Sequence, residues 1–176
     1  MRTHTLIPVA LVLAGFSLVT SCSRDEPPVA PPPVIVVGDV MMNEVYSRGV
    51  AGNLDWVEIY NPNTVAVNLT GYKLCDPGGW GASATKPKKT FPTGATIAPK
   101  GYYVIVTDTA DFTGDLSGFG LSSSGDQLWL ENATGGLIDT LSFGSMDLTQ
   151  SVGRYPDGAA TWQVLNTITK GASNRP

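Results

Sequence analysis

The chain is 176 residues long, enough for one domain with a leader or tail, and carries a formal net charge of −4. Removing the apolar leader takes away Arg2 and His4, so the 11 basic residues become 10 against 15 acidic, a net charge of −5. A chain that is acidic and histidine-free excludes a Ser-His-Asp triad, a Cys-His pair, a His-ligated zinc or iron site, and general binding to nucleic-acid phosphates.

The leader is residues 1–21. Arg2 opens it, and the apolar run Leu6–Val19 suits a secretory h-region but is short for a membrane span of about 20 residues. It ends in Val19-Thr20-Ser21-Cys22, which resembles a bacterial lipobox, so Cys22 is the expected lipidation site. Residues 22–33 follow as a tether, with Ser23-Arg24-Asp25-Glu26 and then five prolines between Pro27 and Pro33. Such a run favours an extended polyproline II strut. Acyl chains on Cys22 would hold the protein on a membrane, which places it in the cell envelope, at the outer membrane or the cell surface. Acylation of Cys22 leaves Cys75 without a disulfide partner.

Residues 34–176 read as β-structure throughout, beginning with Val34–Val37. Asn43–Tyr46 and Asp55–Pro62 form a hairpin joined by Ser47–Leu54: the second arm alternates apolar and polar residues and stops at Asn61-Pro62. Val65–Leu69 and Gly71–Asp76 are the next strands. Cys75 shares a strand face with Lys73, which predicts a thiol near the surface or an edge. Residues Pro77–Thr90 form a long loop with Trp80 among glycines and the basic cluster Lys86, Lys88 and Lys89, the composition of a binding tip.

Tyr102–Thr107 is a strong strand, and Asp108–Gly120 a loop. No cofactor is expected. Asp108, Asp111 and Asp115 supply the oxygen ligands calcium takes, but their spacing is not that of an EF-hand. Gln127–Asn132 and Leu137–Phe143 flank Thr134-Gly135-Gly136 as a second hairpin, with Leu128 and Leu130 on one face and Trp129 on the other. The expected core comprises Trp56, Ile97, Val104 or Ile105, Leu128, Leu130, Leu141, Phe143 and Trp162. Seven or so short strands at roughly ten-residue spacing imply an all-β, two-sheet sandwich.

Several of these stretches resemble the bacterial lamin-tail domain in order: Asn43-Glu44-Val45 with Asp55–Pro62, Ile97–Tyr102 after Phe91-Pro92, and Ser151-Val152-Gly153-Arg154-Tyr155-Pro156-Asp157-Gly158. The close departs from the pattern, with Thr169-Lys170-Gly171 where Thr-Pro-Gly is frequent. The resemblance implies an immunoglobulin-like β-sandwich and a non-catalytic module that binds protein or another surface polymer through its loops. The alternative is a carbohydrate-binding module using exposed Trp80 or Trp129. A glycosidase using Glu44 and Glu58 needs a deep cleft that a small sandwich does not offer. Arg154, set in the Pro-Asp-Gly turn, is expected to pair with Glu44 or Glu58 and tie the tail to the first hairpin.

Overall fold

A computed structural model describes residues 39–49, 54–108 and 117–176. The leader, Cys22, the tether, the Val34–Val37 run, Asp111 and Asp115 lie outside the described residues.

The described residues fall in one unit, Val36–Pro176, built from antiparallel strands. Five of them form the first sheet: β1 (Met41–Tyr46), β2 (Trp56–Tyr60), β7 (Tyr102–Val106), β10 (Ser151–Arg154) and β11 (Trp162–Leu165), in the order β11-β10-β1-β2-β7. The second sheet is β5-β4-β8-β9, from β4 (Lys73–Cys75), β5 (Lys89–Thr90), β8 (Gly125–Glu131) and β9 (Leu137–Gly144). A short pair, β3 (Val67–Asn68) with β6 (Thr96–Ile97), completes the set. The expected Val65–Leu69 strand is therefore only two residues long, and the signature around Ser151 is a strand before it is a turn.

Strand alternation places the core between the sheets. Val45, Val57, Ile59, Ile105 and Val152 from the first sheet join Leu74, Leu128, Leu130, Leu141 and Phe143 from the second. Of the pair Val104 and Ile105, Ile105 faces inward, as period two requires, and Val104 is half-buried. Trp56 is fully buried, but as a neighbour of Val57 it points to the opposite face, where it stacks on Tyr46 with ring centroids 6.1 Å apart. Trp162 is only half-buried, because β11 is the edge strand of its sheet. Asn61 explains why the second arm ends where it does: its buried amide bonds Val65 O (2.8 Å) and Ala98 O (3.0 Å), fixing the turn that starts at Asn61-Pro62.

Cys75 corrects the sequence expectation. It does share the face away from Leu74, yet it is buried, 1% exposed. β4 lies between β5 and β8, and the 3-10 turn Pro77–Gly79 lies over the thiol. A Cβ at Gly79 would sit 2.6 Å from Cys75 Cβ, so only glycine lets the chain pass that close. Burial raises the thiol pKa to about 11.

Candidate functional site

Three places gather the residues with chemical potential. The first is the outer face of the first sheet, where Glu44 and Glu58 sit directly opposite one another on β1 and β2, both fully buried. Like charges in that position repel, so each carboxylate needs donors. The closing segment, residues 166–176, supplies most of them. Glu44 accepts from Thr169 N (3.0 Å) and from the Ser151 hydroxyl. Thr169 Oγ1 lies 2.8 Å from both Glu44 Oε2 and Asn174 Oδ1 and has one proton to give. Glu58 accepts from Gly171 N (2.6 Å) and Asn43 Nδ2 (3.0 Å). Burial pushes the Glu58 pKa up to about 7, against the lowering effect of those two donors and with a further push from Glu44. Lys170 lies over the Trp56 ring at 5.4 Å. Asn174 anchors the end of the segment by donating to Asn43 O (2.9 Å) and Arg154 O (2.8 Å). Asp157 joins this network: burial raises its pKa, but hydrogen bonds from Ser173, Tyr102, Asn174 N and Asn43 outweigh it and hold the carboxyl below its ordinary value. The two glutamates are therefore sealed structural acceptors, not an open acid–base pair.

Arg154 does not reach either glutamate. Its guanidinium pairs with Asp139 of β9 at 3.0 Å, donates through Nε to Met42 O (2.8 Å) and through Nη1 to Ala159 O, and stacks 4.5 Å from the Trp162 ring centroid. Asp139 in turn accepts from Met42 N at 3.0 Å, next to the bulge in β1. Arg154 ends β10 and points toward β9, so the tie runs from the first sheet to the second rather than within the first hairpin. The glutamates were already satisfied by backbone and hydroxyl donors.

The second place is the loop after β4. Trp80 folds onto the outer face of the second sheet and stacks on Trp129, with centroids 5.2 Å apart and planes 7° from parallel. Both rings are half-buried. The basic cluster is engaged too: Lys86 pairs with Asp76 at 3.0 Å, Lys88 with Glu131 while lying 5.3 Å from the Trp80 centroid, and Lys89 is buried on β5. Sequence reasoning put Trp80 and the lysines on one loop and Trp129 apart from them; the structure closes that loop over Trp129. Beside Trp129 runs a trough of about 170 Å³, lined also by Gln127, Thr140 and Ser142.

The third place went unnoticed in the sequence. Where β1 ends and β2 begins, a recess of about 320 Å³ opens, lined by Ser47, Arg48, Gly49, Asp55, Leu121 and Leu148. Asp55 builds its rim: Oδ1 accepts Gly49 N at 2.6 Å and Oδ2 accepts Leu121 N at 2.7 Å, so one carboxylate pins two loops. Burial raises the Asp55 pKa, those two bonds lower it, and Asp108 and Asp126 nearby raise it again. Tyr46 Oη adds a third tie, lying 3.3 Å from Arg48 O and 3.2 Å from Leu148 O. Four buried polar side-chain atoms among the described residues have no hydrogen-bond partner: Ser47 Oγ, Arg48 Nε, Trp56 Nε1 and Thr107 Oγ1. All four belong to this end of the first sheet, where β1 and β7 finish and β2 starts. Arg48, the lone arginine in the hairpin connection, was the signal available in the sequence. Among the described residues no group of three or more acidic, cysteine or histidine side chains is arranged to hold a metal.

Neither the comparison with curated proteins nor that with solved structures returned a match. The family model described as Lamin Tail Domain matches residues 33–145, a stretch that runs through β9. β10, β11 and the closing segment follow it and complete the first sheet. The match spans well over half of the chain, and the protein belongs to the lamin tail domain family, a non-enzymatic family of immunoglobulin-like β-sandwiches.

Proposed function

We propose that the protein is a non-catalytic interaction module of the bacterial cell envelope, anchored at the outer membrane or cell surface by acylation of Cys22. In this reading residues 1–21 are a signal peptide and residues 22–33 a tether. The sandwich binds a protein or another surface polymer through its loops. The observation that carries the binding part is the recess at one end of the first sheet, with its unpartnered donors. Buried polar groups are nearly always hydrogen-bonded within a protein, and an exposed end of the sandwich is where a partner can supply the missing acceptors. The anchored part rests on the Val19–Cys22 run.

Two experiments test it. Cys22→Ala should move the protein from the detergent to the aqueous phase, and unchanged partitioning would end the anchoring proposal. Cross-linked pull-down from envelope extract should recover one partner with the wild-type chain, and recovery of none would count against the module. A second reading, carbohydrate binding, is supported by the trough beside Trp129, where an indole lies among Gln127, Thr140 and Ser142. Glycan-array binding that is lost on Trp129→Ala or Trp80→Ala would favour it.

A further inference from the structure

We propose that the recess is a carboxylate-binding site for an acidic peptide, with Arg48 as the reading cation. This rests on the module reading above and names the chemistry of its partner. Arg48 forms no ion pair among the described residues, and its Nε, like Ser47 Oγ, is buried without an acceptor. A guanidinium presents donors in a planar fork that matches the two oxygens of a carboxylate. Asp55 does not fill that role, because its oxygens are already turned to Gly49 N and Leu121 N.

The surroundings narrow the anion. Asp108 and Asp126 each lie close enough to Asp55 to interact with it electrostatically. A doubly charged phosphate would meet that negative field at greater cost than a singly charged carboxylate. Beside Ser123 the lining also carries apolar surface: Leu121 is buried and Leu148 is 51% exposed. An acidic residue beside an aliphatic one therefore fits better than a uronic acid, which carries hydroxyls on every side. The site is built before any ligand arrives, since Asp55 and Tyr46 fix both loops, and a Cβ at Gly49 would press to 2.7 Å from Asp55 Oδ1. Preorganisation of this kind lowers the ordering cost of binding.

The test uses the detergent-solubilised full chain and N-acetyl-leucyl-glutamate α-methyl ester, which carries one carboxylate, with the side-chain amide N-acetyl-leucyl-glutamine α-methyl ester as the uncharged control. Inorganic phosphate and glucuronate are titrated in parallel, and binding is read from the Arg48 Nε–H resonance, assigned by its absence in Arg48→Ala. The acidic dipeptide should shift that resonance saturably and bind at least about tenfold tighter than the amide, phosphate or glucuronate. Arg48→Ala, with an unchanged melting temperature, should lose binding as judged from the Leu121 and Gly49 amides. Equal binding of the amide, equal or tighter binding of phosphate or glucuronate, or no saturable shift would each overturn the proposal; comparison of the four ligands on wild-type protein stands whatever Arg48→Ala does to folding. A missing dipeptide shift with partner capture intact sinks this inference alone. Dipeptide binding without any captured partner counts against the module reading alone.

Discussion

Arg154→Ala should be the most damaging single truncation at the seam between the sheets. The guanidinium and the Asp139 carboxylate are 10% and 14% exposed, so their pairing is scarcely screened by water. Breaking a buried pair by removing one partner costs about 3–5 kcal/mol. Asp139 keeps the Met42 N–H as a donor, which places the expected loss at the low end, about 3 kcal/mol. That is a large part of the 5–15 kcal/mol typical of a domain, yet the variant should still fold. In urea, followed by tryptophan emission to include Trp162, the midpoint should fall by about 1–2 M with the slope unchanged. A double-mutant cycle with Asp139→Asn should give a coupling of about 1–3 kcal/mol, and one with Glu44→Gln nearly none. A loss under about 1 kcal/mol, the value of an exposed pair, would refute the reasoning. So would stronger coupling to Glu44 than to Asp139.

The other predictions concern titration and closure. Glu58 binds its proton more tightly folded than unfolded, so its contribution to stability is complete below about pH 4.5 and declines as pH rises through about 7; Glu58→Gln should flatten the stability-against-pH curve across that window, and an unchanged slope would contradict the assignment. Cys75, buried and with its thiol held protonated, should react with a thiol reagent at pH 8 only after denaturation, and fast labelling of native protein would disprove its burial. Asn174→Ala leaves Asn43 O and Arg154 O without their donor and should cost about 1–3 kcal/mol by thermal melt, together with faster amide exchange at Thr169 and Gly171. A melt within error of wild type would mean that the closing segment is held by something else.

Period-two alternation was enough to read β2, β7, β8 and β9 and to orient Leu128 and Leu130, because burial of one face fixes the register, while it left the choice between Val104 and Ile105 open. It also put Cys75 opposite Leu74 correctly. Whether that second face meets water is another matter, and here residues 76–88 fold over it. Arg154 had the right character but the wrong partner, since its carboxylate comes from the facing sheet, and sandwich packing leaves no trace in sequence spacing. Thr169 N and Gly171 N, which satisfy the glutamates, are backbone donors and have no residue signature at all. The lysines of the long loop read as a free basic cluster until strand pairing brought Glu131 alongside β4 and Lys88 within reach. The recess joins Ser47, Arg48, Asp55, Leu121 and Leu148, residues drawn from three loops, so only the topology could assemble it.

β1 lies in the middle of its sheet, between β2 and β10. Its outer partner is about a hundred residues downstream, and Thr169 and Gly171, which seal Glu44 and Glu58, come later still. A polypeptide that emerges N-terminus first would therefore expose two glutamates and an open strand edge until residues 169–171 had followed. Long loops must close before such contacts form, which makes folding slow and leaves incomplete chains prone to pair with one another. Chains cut before Thr169 should consequently fail as a whole, so that residues 169–174 decide whether the sandwich locks.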